Sequence, residues 1–430
     1  VNEVVVGHDA RFDMIVRHHA FFPVFQPIVS LGDGTVVGYE ALARGPAGSA
    51  FESPAALFGY AQRAGRLGEL DWATRAVAFR DALAAGLPYE MPLFVNVEPA
   101  TLRTACPPDL QPMIDAGAQR LQIVAEITER FLGEDPAALL MLTDRVRGRS
   151  ARIALDDVGA KPASLALMSL LNPEVIKLDS SVVQSPASPA AGRVVKAVLA
   201  ESARTGAVVL AEGIETDSHL WTAMSMGATL GQGWLFGRPG PLPPVHQPPG
   251  TDLPRSRWTP AAAITPFEVA SRHHETRRLT KRTLLPLSSR LEAMAAHAPE
   301  SMVLLATFQQ YKFFTGAARA RYAASAAGGA FTAAFARGMP AHPVAGVRGV
   351  ALADDDPLAG EWSVIVVDSY FAGGLFAREL PTTGPESERE FDAVVSHDRA
   401  LVTEAARCLL QRLDPYPEAA VHLSRAGTGA

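Results

Sequence analysis

A chain of 430 residues is too long for one ordinary core, and 48% hydrophobic with 20% charged residues excludes a disordered protein. A formal net charge of −6 argues against binding to nucleic-acid polymers or anionic membranes, while leaving room for a local phosphate site. Two cysteines in unrelated contexts, Cys106 and Cys408, exclude a disulfide framework and a zinc spacing, and no apolar run is long enough to be a membrane segment. The expected location is therefore cytoplasmic; the first residue is Val1 rather than Met, which leaves room for a trimmed upstream segment.

Residues 1–18 read as an N-terminal extension. From about Phe21 onward, strand-length apolar runs alternate with longer stretches of helical period. The runs are Val24–Ile28, Val36–Tyr39, Leu93–Val97, Leu121–Ile127, Arg152–Leu155, Val175–Leu178, Val208–Ala211 and Ala228–Leu235. Helices are expected over Pro54–Ala64, Leu70–Ala85, Pro136–Val146, Ala163–Leu171, Ala190–Thr205 and Ser218–Met226. Eight such strands in about 220 residues suit an α/β fold, a (β/α)8 TIM-like barrel over residues 19–240. An open doubly wound sheet is the alternative, weakened by the lack of a glycine-rich dinucleotide loop. The prolines between Pro239 and Pro254 mark an extended linker, 241–262. A second, smaller α/β domain is expected over 263–415, with helices over Arg277–Ala296, Ala317–Ala327 and Phe391–Arg412 and strands over Met302–Phe308, Ala330–Ala336 and Trp362–Asp368; 416–430 reads as a loose tail.

Polar residues fall repeatedly at strand ends: Glu40, Asn96, Glu126, Asp156 with Asp157, Lys177, Glu212 and Gln232. In a (β/α) barrel those ends share one face, so residues distant in sequence converge. Clustered carboxylates repel and resist desolvation, and a divalent cation relieves both. An oxygen-rich set suits Mg2+, Mn2+ or Ca2+ rather than zinc, and so many acids leave room for two ions. Lys177 is one of only five lysines and lies in an apolar run, which calls for an acidic partner or a catalytic task. Each residue alone has an ordinary reading: Asp157 as a helix cap, Lys177 as half of a structural ion pair, Asn96 as a satisfier of backbone groups.

Phe25-Gln26-Pro27-Ile28-Val29 and Glu40-Ala41-Leu42-Ala43-Arg44 resemble the EAL family of cyclic di-GMP phosphodiesterases. The resemblance continues in order through Phe94–Val97, Glu126–Glu129, Asp156-Asp157, Ile176–Asp179, Ala211–Thr216 and Gly231–Pro239. It implies hydrolysis of cyclic di-GMP to linear pGpG with Mg2+ or Mn2+, inhibition by Ca2+, and a homodimer. Glu40, Asn96, Glu126 and Asp156 would then hold metal, and Asp157 a second ion. Glu212 would complete the acidic set, Lys177 would hold or deprotonate the attacking water, and Gln232 would position it. Gln26, Arg44 and Asp179 would contact substrate, and Glu129 would brace the loop after Asp157. That loop departs from the family, with Val158-Gly159-Ala160-Lys161-Pro162 where the family has Phe-Gly-Thr-Gly-Tyr. Weaker metal affinity, altered dimerisation or a lower rate would follow, and a catalytically weak cyclic di-GMP receptor is the alternative function. A bare protein-interaction scaffold is disfavoured by the acidic set.

From about Pro266 to Arg412 the chain resembles the DICT sensory domain, through Arg278–Leu285, Ala306–Gln309, Tyr322 and Pro357–Val367. The resemblance implies a regulatory module of unknown signal. The residues show no catalytic constellation: His18-His19 and His273-His274 lack metal-binding spacing, Asp354–Asp356 is an acidic turn, and Arg277, Arg278, Lys281 and Arg282 read as one solvated helix face.

Overall fold

The computed structural model describes residues 8–128, 136–160, 165, 168–244, 252–255, 265–296, 302–381 and 385–413. In chain order the first unit comprises α1 (His8–Arg17), β1 (Phe22–Ser30), β2 (Val36–Arg44), α2 (Pro54–Arg63), α3 (Leu67–Ala84), β3 (Leu93–Asn96), α4 (Gln111–Arg120), β4 (Ile123–Thr128), α5 (Pro136–Gly148), β5 (Arg152–Val158), α6 (Met168–Leu171), β6 (Val175–Leu178), α7 (Ser180–Gln184), α8 (Pro189–Thr205), β7 (Val208–Ala211), α9 (Asp217–Ser225) and β8 (Leu230–Gly231). The strands β1 to β8 close into a barrel in sequence order. β2 to β8 pair in parallel, whereas β1 runs antiparallel to both its neighbours. The cause is the short connection from Ser30 to Val36. A parallel neighbour needs a crossover of about a dozen residues or more, and a short turn permits only a hairpin. Gly34, at φ +72°, makes that turn.

Strand geometry sets the barrel's interior in two tiers, because side chains two apart on a strand share a face. The lower tier is apolar and contains Ile28, Phe94, Val124, Ala154, Val175, Leu210 and Leu230. Leu253, beyond the proline-rich stretch, joins this cluster at 6% exposure, and the Arg152 guanidinium donates to the carbonyls of Pro254 (2.9 Å) and Leu253 (3.2 Å). The described part of the expected linker is therefore folded against the barrel at 252–255. The expected N-terminal extension likewise contains α1, whose Phe12 is 1% exposed and meets Phe51 edge-on at 5.8 Å.

The second unit comprises α10 (Pro266–His273), β9 (Arg277–Thr280), α11 (Lys281–Ala296), β10 (Val303–Gln310), α12 (Gly316–Ala327), β11 (Phe331–Arg337), β12 (Val347–Leu352), β13 (Glu361–Val367), β14 (Ala372–Glu379), β15 (Glu390–Ser396) and α13 (Arg399–Leu410). The sheet order is β12-β11-β10-β13-β14-β15-β9. Alternate residues divide its faces. Leu304, Ala306, Val364 and Val366 pack with Leu291 and Tyr322 under α11 and α12. Val303, Leu305, Ile365 and Val367 pack with α10 and α13 in the cluster that continues into the barrel. Two expected helices each contain a strand. Arg277–Thr280 pairs with β15 before α11 begins, so the basic run is split between a strand and a helix. Glu390–Ser396 is β15, and Asp398 then caps α13 by accepting from Leu401 N at 3.1 Å. In the acidic turn, Asp356 accepts from Leu358 N at 2.9 Å and pairs with Arg412 at 2.7 Å.

Candidate active site

The upper tier of the barrel is polar, and each member stands two residues from an apolar one below. Asn96 follows Phe94, Glu126 follows Val124, and Asp156 follows Ala154; Lys177 follows Val175, Glu212 follows Leu210, and Gln232 follows Leu230. On the reversed β1 the order inverts, and Gln26 precedes Ile28. Glu40 stands opposite Gln26 in the β1–β2 register.

Lys177 is the centre of the tier, at 0% exposure. Its Nζ lies 2.6 Å from Glu126, 2.8 Å from Glu212, 2.9 Å from Asp156 and 3.7 Å from Glu40. Gln232 Nε2 donates to Glu40 (2.6 Å) and to Gln26 Oε1 (3.2 Å), and Gln26 Nε2 donates to Gly237 O (3.1 Å). Asn96 Nδ2 donates to Glu126 at 3.3 Å. Asp157 turns out of β5 at φ +57°, a left-handed conformation that aspartate tolerates better than most residues. Gly233 lets the loop after β8 close onto the loop after β7: a Cβ there would lie 2.0 Å from Ile214 O.

The expected substrate contacts are less converged. Arg44 ends β2 and donates to its neighbour Ala43 O at 2.8 Å; Asp179 caps α7, accepting from Ser181 N at 3.0 Å. Glu129 lies outside the described residues, as does the loop from Lys161 to Ser164. Sequence reasoning passed over Asp71. It is buried on α3, pairs with Arg75 one turn on, accepts from Glu98 N at 3.3 Å, and lines a cavity of about 280 Å³ beside Asn96. Burial pushes its carboxyl up to about 6, against the pull of Arg75. An Asp-Arg pair at i, i+4 inside an apolar helix was the available signal.

The charges do not balance within the cluster. Burial raises Glu126 well above the usual carboxylate range, Glu40 and Asp156 add to it, and Lys177 opposes. Burial also pushes Glu212 up to about 8, with Asp156 and Glu40 adding and Lys177 opposing. Burial works to neutralise Lys177, but its four carboxylates prevail and hold it as the ammonium. Glu126 Oε1, Asp156 Oδ1 and Gln232 Oε1 are buried without a well-formed hydrogen bond. Asp156, Asp157 and Glu212 can bring one carboxylate oxygen each within 4.8 Å of the others. This donor set fits a hard divalent cation, whose charge would offset the surplus acids.

Glu212 is an acid whose folded pKa of about 8 exceeds its unfolded value, so the folded state holds the extra proton in between. Its stabilising contribution is complete below about pH 4 and lost as pH rises through about 8. Melting in chelator should therefore occur at lower temperature at pH 8 than at pH 6. Added Mn2+ should raise the melting temperature more at pH 8, since metal and proton compete for the same oxygens. Equal melting at both pH values would contradict the charge balance described.

The family model for the EAL domain matches residues 9–239, more than half of the chain and the whole barrel. The chain belongs to the EAL domain family. A second model, the sensory domain in diguanylate cyclases and two-component systems (DICT), matches residues 267–380, so the EAL barrel is followed by a DICT domain. Among relatives, the cyclic di-GMP phosphodiesterase RocR of Pseudomonas aeruginosa is 30% identical over 227 residues, covering 51% of this chain and 58% of RocR. The probable cyclic di-GMP phosphodiesterase PdeB of Escherichia coli is 31% identical over 220 residues, covering 50% of this chain and 42% of PdeB. The chain spans less than two thirds of these relatives. Among solved structures, BlrP1 of Klebsiella pneumoniae in a manganese and cyclic di-GMP complex aligns at 27% identity and a TM-score of 0.45, over 51% of this chain and 56% of that one. No helix among the described residues of this EAL–DICT chain is long and apolar enough to cross a membrane.

Proposed function

We propose that the EAL barrel hydrolyses cyclic di-GMP to linear pGpG, with Mg2+ or Mn2+ as cofactor in two-ion form and the DICT domain as regulator. The observation that carries this reading is the fully buried Lys177 inside four carboxylates at one end of an EAL-family barrel. The relatives named phosphodiesterases support the substrate. In this reading Glu40, Asn96, Glu126 and Asp156 hold metal, Asp157 reaches a second ion, and Glu129 braces the loop beyond. Bound cations would lower the pKa of water and offset charge on the phosphate oxygens.

The chain's own groups supply the rest. Water attacks phosphorus in line, its oxygen forming the new P–O bond as the bond to one ribose 3′ oxygen breaks. The water proton leaves to a carboxylate, and the 3′ oxygen takes up a proton. Glu212, beside Lys177 at 2.8 Å and grouped with Asp156 and Asp157, is the carboxylate placed for the exchange. Lys177, held as the ammonium, suits gripping the water rather than deprotonating it. Gln232, fixed by Glu40 and Gln26, orients the same water. Arg44 is suited to a phosphate oxygen by its planar fork, and Gln26 and Asp179 complete the substrate contacts.

The test is chromatography of cyclic di-GMP incubated with the protein. Expected is pGpG with Mg2+ or Mn2+, and none with Ca2+. Binding without product under every metal would assign the barrel to a receptor instead.

Regulation has a structural route. Arg407 of α13 is 3% exposed, donates to Leu170 O of α6 at 2.5 Å, and pairs with Asp144 of α5 at 2.8 Å. α6 follows the loop that leaves Asp157, so α13 bears on the segment behind the proposed second-ion ligand. Arg407→Met is expected to lower turnover about fivefold. Arg412→Met, which breaks a pair with Asp356 within the DICT domain, should leave it unchanged. Equal turnover in both variants and the parent would remove this route.

A further inference from the structure

The DICT domain encloses a cavity of about 240 Å³ between α11, α12 and the sheet, on the face turned away from the barrel. Four aromatic side chains, Phe308, Phe313, Trp362 and Phe391, form its walls. Trp362 and Phe391 meet edge-on at 5.7 Å along one side of the space. Aromatic walls of this kind favour a planar occupant. The volume lies below the roughly 300–1,000 Å³ of drug-sized sites, which limits that occupant to one or two rings.

Two further observations point to its polar groups. Gln309, 6% exposed, lines the cavity, and its Nε2 is buried without a hydrogen-bond partner. A buried amide donor left unpaired is costly, so an acceptor is called for at that spot. Lys281 and Arg389 also line the cavity, 4.8 Å and 4.9 Å from the Phe313 ring centre. Their acidic partners Glu386 and Glu379 stand outside the lining. Arg321 and Glu292, which do line it, pair with each other at 2.5 Å. The wall thus sets two cations, each already paired with a carboxylate just outside it, beside a buried donor that lacks a partner.

We propose that this cavity is the ligand site of the DICT domain, and that it takes a small planar aromatic carboxylate, with ring faces against the aromatic walls and the carboxylate toward Gln309 Nε2 and the Lys281–Arg389 pair. The position suits a signal. β13 turns Trp362, Val364 and Val366 toward the cavity side and Ile365 and Val367 toward α13, the helix that carries Arg407. The site does not depend on what the barrel catalyses.

The probe is indole-3-carboxylate, titrated calorimetrically into the full chain without cyclic di-GMP. Saturable binding at one site per chain is expected, with indole at least about tenfold weaker for want of the carboxylate. Gln309→Leu and, separately, Lys281→Gln at the cavity mouth should each weaken binding about tenfold. Glu40→Gln in the barrel should leave it unchanged. No binding, equal affinity for indole, or affinity unmoved in both cavity variants would overturn the proposal.

Discussion

Lys177→Met is expected to abolish hydrolysis, a loss of about 10³-fold or more in pGpG formed per unit time. The reason lies in the surroundings rather than in the side chain alone. Methionine fills a similar volume but leaves Glu126, Glu212, Asp156 and Glu40 around an uncharged centre. Removing one partner of a buried ion pair costs about 3–5 kcal/mol, because the remaining charge stays desolvated. Here four acids are left, and Glu126 and Glu212 respond by taking up protons. Lys177 is the group that lowers the pKa of Glu126 and Glu212, so both rise further without it. Folded protein then binds still more protons than unfolded protein, and stability falls more steeply with rising pH. Melting of Lys177→Met in chelator should therefore lie closer to the parent at pH 5 than at pH 8. Parental turnover, or a pH dependence of melting identical to the parent's, would remove Lys177 from the centre of the site.

Much of this site was legible because a strand repeats every two residues. An apolar residue followed two on by an acid, amide or lysine recurs at Phe94–Asn96, Val124–Glu126, Ala154–Asp156, Val175–Lys177 and Leu210–Glu212, and one barrel stacks all five into the same two tiers. The reversal of β1 was legible too, in a Ser30–Val36 connection too short for a crossover. The (β/α)8 pattern expected for the barrel makes no provision for it, since every strand of that pattern is followed by a crossover helix. The two strands read as helix in the DICT domain share another cause. Arg277–Thr280 and Glu390–Ser396 adjoin α11 and α13, and it is sheet pairing, with each other and of the second with β14, that separates strand from helix. What could not be read is tertiary. Nothing local to Leu253 says that it closes the barrel floor, and nothing local to Arg407 says that it reaches Leu170. Both follow from where two distant segments meet.

Asp156→Asn separates the metal role from the structural one, and the two readings predict opposite signs. The amide keeps the shape and can still accept from Lys177, but it removes one negative charge and one of the oxygens shared with Asp157 and Glu212. Asp156 is among the groups that raise both Glu126 and Glu212. Relief of that repulsion should leave metal-free protein at least as stable as the parent, with a shallower fall in melting temperature between pH 6 and pH 8. Function moves the other way. The Mn2+ concentration needed to raise the melting temperature should increase about 10–100-fold, and turnover should fall by about 10³. A site that conserves repulsion for the sake of binding cations gains stability when the function is removed. Had these acids served only to satisfy Lys177, Asp156→Asn would lower metal-free stability by several kcal/mol and leave the response to Mn2+ intact. Melting curves with and without Mn2+ at two pH values, beside a single turnover assay, decide between them.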